Sequence, residues 1–170
     1  MTRILGIDPG YAIVGWGVVD YHNNHFFPVQ YGAITTEAGE EFDVRLRRIY
    51  LDTCALITAA KPEAMAIERL YFTTNQKTAI DVAQARGVIL LAAALHDVPI
   101  FEYTPLQVKS SVVGYGKAEK KQVMLMTQRI LGLKEVPKPD DTADALAIAI
   151  CHGHSAGSSL SGLIRKAGAR

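Results

Sequence analysis

A chain of 170 residues, 49% apolar and 21% charged, suits one soluble domain with a substantial core. A net charge of +1 argues neither for nor against a nucleic-acid partner, and the two isolated cysteines, Cys54 and Cys151, read as buried, reduced thiols rather than a disulfide and fit a reducing cytoplasm. The longest nearly apolar run, Val88 to Leu95, is too short to span a bilayer, and the N-terminus enters a strand-like run with no signal peptide before it.

Arg3 to Asp8, Ile13 to Asp20 and His25 to Thr36 read as three strands, with turns at Gly10 and at Asn23-Asn24, so they form an antiparallel meander. Phe42 to Ala60 reads as a helix, since Val44, Leu46, Ile49, Tyr50, Leu56 and Ile57 lie near helical spacing, and Lys61-Pro62 ends it. Glu63 to Glu68 is apolar through its middle, the pattern of a central strand buried on both faces. A polar and aromatic loop runs from Arg69 to Gln76. Thr78 to Leu95 is a long helix whose second half is apolar nearly all round, which requires burial on more than one side, by its own domain or by a partner subunit.

Pro99 to Tyr103 is a fifth strand. Thr104 caps a short helix that has Pro105 at its first position. Ala118 to Leu131 is a further helix, and Asp140 or Asp141 caps a last one ending near Cys151. The expected order is βββαβαβααα, a mixed sheet with helices on its faces. Residues 1–154 form the expected domain, and 155–170, rich in Ser, Gly and Ala and basic at the end, the expected mobile tail.

The acidic residues carry the chemistry. Asp8 and Glu68 each end an apolar strand, and if those strands are neighbours both carboxylates emerge at one sheet edge, where open α/β sheets bind ligands. Asp141 and Asp144 share one helix face, although either also serves as an ordinary N-terminal cap. Carboxylates at the ends of buried elements are costly unless a cation neutralises them. Three or four together suit hard divalent cations and phosphoryl-transfer chemistry. No G-x-S-x-G or Walker loop offers a different mechanism.

The basic residues form local clusters: Arg45, Arg47 and Arg48; Lys117, Lys120 and Lys121; and Arg165, Lys166 and Arg170. Each is either a solvated face or a phosphate contact. Tyr71 and Phe72 sit side by side in a polar loop, so one ring is expected to fold inward and the other to offer a stacking platform. His22, His25, His152 and His154 read as surface histidines.

Gly6-Ile7-Asp8-Pro9-Gly10, Ala66-Ile67-Glu68, Gln84-Ala85-Arg86-Gly87 and Asp141-Thr142-Ala143-Asp144-Ala145 together resemble the RuvC family of Holliday junction resolvases, with support from Phe101-Glu102-Tyr103, Gln107-Val108-Lys109 and Val112-Val113-Gly114. The resemblance implies a ribonuclease H-like mixed five-stranded sheet flanked by helices and a homodimer. It also implies paired, symmetric nicking of four-way junction DNA with two Mg²⁺ ions per subunit, Mn²⁺ being a substitute, alongside branch-migration proteins of the RuvA and RuvB type. By the same resemblance Asp8, Glu68, Asp141 and Asp144 are the catalytic metal ligands. Tyr71 stacks near the junction centre, or Phe72 does so in its place. Lys109 and Lys120 lie near the scissile phosphate, and Lys117 and Lys121 add charge for DNA. Three other readings are an actin-like ATPase, for which the chain is too short, a non-catalytic junction binder, and a ribonuclease H-like nuclease with a different substrate.

Overall fold

The computed structural model describes residues 1–70 and 76–157. Ten elements follow in the expected order: β1 (Thr2–Asp8), β2 (Ile13–His22), β3 (His25–Thr35), α1 (Phe42–Ala60), β4 (Ala64–Glu68), α2 (Gln76–Leu95), β5 (Ile100–Tyr103), α3 (Pro105–Val113), α4 (Lys120–Ile130) and α5 (Asp140–Gly157). The sheet order is β3-β2-β1-β4-β5. β1 pairs antiparallel with β2 and parallel with β4, and β5 runs parallel to β4.

Local chemistry sets the element ends. Asn23 and Asn24 both adopt positive φ, 48° and 63°, the geometry that a two-residue hairpin turn needs and that asparagine tolerates. α1 buries Arg45, Ile49, Thr53 and Ile57, one stripe at four-residue spacing, and ends where Lys61 turns left-handed and its N–H bonds the Ile57 carbonyl. α3 carries a capping box between Thr104 and Gln107, with Pro105 behind it. Glu119 and Gln122 make the same box for α4.

Two apolar layers sandwich the sheet. One holds Leu5, Ile7, Val14, Ile67, Ile49 and Ile89 beneath α1 and α2. The other packs Leu146, Ile148 and Ile150 of α5 with Ile4, Val19 and Ala66 of the sheet, with α3 and α4 outside it. α5 lies against the strand backbone itself. A Cβ placed on Gly6 would meet the Ala145 carbonyl at 2.1 Å, and one on Gly15 would meet the Asp141 carbonyl at 1.9 Å. Only glycine leaves room for that approach.

Several expectations need correction. Arg45 is not part of a solvated basic face: it is buried, its guanidinium stacks 4.7 Å from the Tyr11 ring centroid, and its Nε donates to Thr36 Oγ1. Arg48 pairs with Glu40 at 2.6 Å. Cys54 is only partly buried, whereas Cys151 is buried, and both are free thiols. α2 from Thr78 to Leu95 has a mean hydropathy of 1.5 and is, by length and composition, long enough to cross a bilayer; as a continuous helix it exceeds the Val88–Leu95 run. It packs here on α1 and holds an ion pair through Arg86. α5 continues past Cys151 to Gly157, because His154 bonds Ser111 and rests edge-on to Phe26 and so ties the extra turns to the fold. The first residues of the expected tail are therefore helical, and the rest lie outside the described residues.

His152 is likewise no surface histidine. It is 5% exposed, its Nδ1 shares a hydrogen bond of 2.7 Å with the Tyr103 hydroxyl, and its ring centroid lies 4.4 Å from that of Phe101. Burial holds its imidazole down to about 4. The unfolded chain thus takes up this proton before the native state does. The stability this gives is full above about 6.5 and is lost as pH falls from there toward 4. Wild type at pH 5 is expected to lose on the order of 2 kcal/mol relative to pH 7 through this group. Urea melts of wild type and His152→Asn across that range check it: the variant's profile should be the flatter, and parallel profiles would refute the assignment.

Candidate active site

Strand register brings the acids together. Asp8 closes β1 directly opposite Gly15 of β2, so both face α5. The Asp141 backbone passes over Gly15, which sets the start of α5 beside Asp8. Ile7 pairs with Ile67 on the parallel neighbour β4, so Asp8 and Glu68 follow as the next residues of adjacent strands. Asp144 lies one turn into α5, on the same face as Asp141. Thr142 fixes the start of α5 from the other side, its hydroxyl donating to the Gly32 carbonyl at 3.0 Å.

The electrostatics are those of crowded anions. Burial, then the charges of Asp144, Glu68 and Asp141, push the Asp8 carboxyl up to about 8, with Lys120 opposing. Burial and the Asp144 charge also raise Glu68, against Lys120 and Lys109. Burial raises Asp144 despite its bond to Lys120. Lys120 Nζ stands 2.9 Å from Asp144 and 3.6 Å from Asp140. Partial burial lowers the Lys120 ammonium, but these carboxylates outweigh that and hold it above its ordinary value. A cleft runs along this edge, lined by Glu68, Val108, Lys109, Lys120, Asp144 and Ile148.

The structure therefore gathers Asp8, Glu68, Asp141, Asp144, Lys109 and Lys120. Lys117 and Lys121 are exposed near the start of α4 and do not line the cleft. Tyr71 and Phe72 lie outside the described residues. Among the described residues no three His, Cys, Asp or Glu side chains enclose a point as a ready-made metal cage, so the acids form an open set. That set fits a divalent cation by its chemistry: hard oxygen donors, partly buried, mutually repelling, with one lysine as the nearest balancing charge. Sequence reasoning assigned no role to Arg86 or Glu102, which pair behind Glu68. The signals for them were their places in the Gln84-Ala85-Arg86-Gly87 and Phe101-Glu102-Tyr103 motifs and a charge standing alone in the apolar stretch of each element.

A mixed sheet of order 3-2-1-4-5, antiparallel in its first three strands and backed by a long helix on the strand that carries Asp8, defines the ribonuclease H-like class of fold. Residues 4–152 match the family described as Crossover junction endodeoxyribonuclease RuvC. The protein of that name from Alkaliphilus metalliredigens is 57% identical over 152 residues, which covers 89% of this chain and 93% of the relative. Thermus thermophilus RuvC in complex with a Holliday junction substrate superposes with a TM-score of 0.87 at 37% identity, over 92% of this chain and 95% of that one. The yeast mitochondrial Holliday junction resolvase Ydc2, 15% identical, shares the fold with a TM-score of 0.63 over 89% of this chain and 79% of its own. The chain belongs to the RuvC family of crossover junction endodeoxyribonucleases, metal-dependent nucleases that act on DNA phosphodiester bonds.

Proposed function

We propose that this protein resolves four-way DNA junctions by paired, symmetric, Mg²⁺-dependent phosphodiester hydrolysis during recombination and repair. The observation that carries the reading is that strand register sets Asp8 next to Glu68, that Glu68 and Asp144 line a cleft with Lys109 and Lys120, and that the start of α5 brings Asp141 alongside. Asp8, Glu68, Asp141 and Asp144 would hold two Mg²⁺ ions, with Mn²⁺ as a substitute. Bound there, the ions supply water activation and charge neutralisation at the scissile phosphate. Lys109 and Lys120 supply positive charge beside the phosphate, and Lys117 and Lys121, further out, take flanking backbone phosphates. Tyr71 or Phe72 serves as the stacking ring at the junction centre. The nuclease unit runs to the end of α5 with the basic tail after it, and it works in the cytoplasm beside RuvA- and RuvB-type branch-migration proteins.

The test is cleavage of a synthetic four-way junction against linear duplex of the same sequence, with and without Mg²⁺. Cutting confined to the junction and to Mg²⁺ supports the reading. Equal cutting of linear duplex would assign a different substrate.

Paired nicking needs two sites, and α2 offers the surface that joins them. Ile80, Leu91 and Leu95 are 59%, 51% and 63% exposed and, with Gln84 and Gly87, line one helix face. Leu91→Glu is expected to shift the protein to monomer and to weaken junction binding by at least about tenfold, one surface of the pair being lost. Light scattering at micromolar concentration checks it: a dimer that persists with paired cuts intact would move the interface elsewhere.

A further inference from the structure

We infer that Arg86 is a positioning residue for Glu68, tying α2 to the end of the catalytic strand; this rests on the assignment of Glu68 to the metal site. The Met65 and Arg69 N–H groups both bond carbonyls on the β5 side, of Pro99 and Tyr103, at 2.8 Å each. Alternate residues of a parallel strand bond opposite neighbours, so the Glu68 carbonyl faces β1. The last β1–β4 pair is Ile7 with Ile67, and beyond Asp8 comes Pro9, which has no N–H to give. Arg86 supplies the missing donor: its Nε bonds the Glu68 carbonyl at 3.3 Å.

The same guanidinium donates through Nη2 to Glu102 of β5. The Arg86 side chain is only 14% exposed, and Glu102 is the counter-charge such a buried cation requires. One planar fork thus fixes α2, β4 and β5 at the point where the ladder stops and the carboxylate begins. Lysine has one nitrogen on a flexible stem where arginine uses two, Nε and Nη2, held in a rigid plane, so it cannot reproduce both bonds in this geometry. Without the second bond the Glu68 peptide gains freedom to rotate, and its carboxylate moves relative to Asp8.

The experiment compares wild type, Arg86→Lys, Glu102→Gln and Glu68→Gln. It measures single-turnover junction cleavage against Mg²⁺ concentration, junction binding in Ca²⁺, and the rise in melting temperature that Mg²⁺ gives the DNA-free protein. Arg86→Lys is expected to bind junctions like wild type and to cleave about 30- to 100-fold more slowly, the scale of an ångström misplacement. Its Mg²⁺ midpoint should rise and its Mg²⁺-induced stabilisation should shrink. Glu102→Gln, which leaves Arg86 in place with a weaker anchor, is expected to change all three in the same direction by less, and it carries the test if Arg86→Lys fails to fold. A lower melting temperature with unchanged rate and unchanged Mg²⁺ midpoint, while Glu68→Gln is inactive, would make Arg86 a scaffold bond and overturn the inference. Activity retained by Glu68→Gln would instead remove Glu68 from the site.

Discussion

Asp8→Asn is expected to lose cleavage by at least about a thousandfold, the scale of removing one member of a set that acts as a unit, and to gain stability at the same time. Both effects come from one charge. Burial and three neighbouring carboxylates push Asp8 up to about 8, so the native state keeps a proton that the unfolded chain releases near 4. For a carboxyl raised in this way, stability falls as pH rises through the interval from about 4 to about 8, and above it the full cost is present. Asparagine keeps the shape and removes the charge. Discounted for partial exposure to solvent, the gain at pH 8 without metal is on the order of 1–3 kcal/mol, several degrees in a melt. Mg²⁺ should reverse the ranking: it stabilises wild type by binding the native state, and the variant by less. Melts of both proteins in chelator and in Mg²⁺, alongside single-turnover cleavage, check this. A variant that cleaves within tenfold of wild type, or melts lower in chelator, would contradict the placement of Asp8 at the centre of the acid cluster.

The second large effect is expected at Gly15. An alanine Cβ there would fall 1.9 Å from the Asp141 carbonyl oxygen and 2.2 Å from its carbon, both backbone atoms of the first turn of α5. No rotamer relieves that overlap, so α5 must lift from the sheet. The cost is about 3 kcal/mol or more, and the lift carries Asp141 away from Asp8. Gly17→Ala is the control. Its Cβ would meet the buried Leu146 side chain at Cδ2, 2.5 Å, and Cγ, 2.7 Å, but the helix backbone no closer than 3.4 Å, so a side chain rather than the helix itself must give. Denaturant titrations should place Gly15→Ala well below Gly17→Ala, and Gly17→Ala should retain most of its cleavage. Equal midpoints for the two would show that α5 yields easily and that its seat on β2 does not set the site.

The elements were legible because each is signalled locally. The Asn23-Asn24 turn, the Thr104-Pro105 helix start and the apolar middle of β4 depend on residues within a few positions of one another. The acids at strand ends were legible for the same reason, since a carboxylate closing an apolar run stands out whatever its neighbours. Arg45 and His152 were misread because their partners, Tyr11 and Tyr103, lie 34 and 49 residues away. The far end of α5 was misread because Ser111 and Phe26, rather than its own sequence, continue it. Arg86 escaped assignment because the lack it meets, a strand neighbour without an N–H, exists only once β1 and β4 are side by side.

The seating of α5 across β1 and β2 bears on how the protein is made. β1 opens the chain and α5 closes its described part, so the contact that joins them is among the most distant in sequence that the fold contains. Such contacts form late, after the entropy of closing the whole intervening loop has been met. A growing chain on the ribosome holds Asp8 and then Glu68 long before Asp141 exists. A fragment that stops before α5, nascent or proteolytic, has Asp8 and Glu68 but neither Asp141 nor Asp144, so the four charges crowd together only once the last helix has been made and seated.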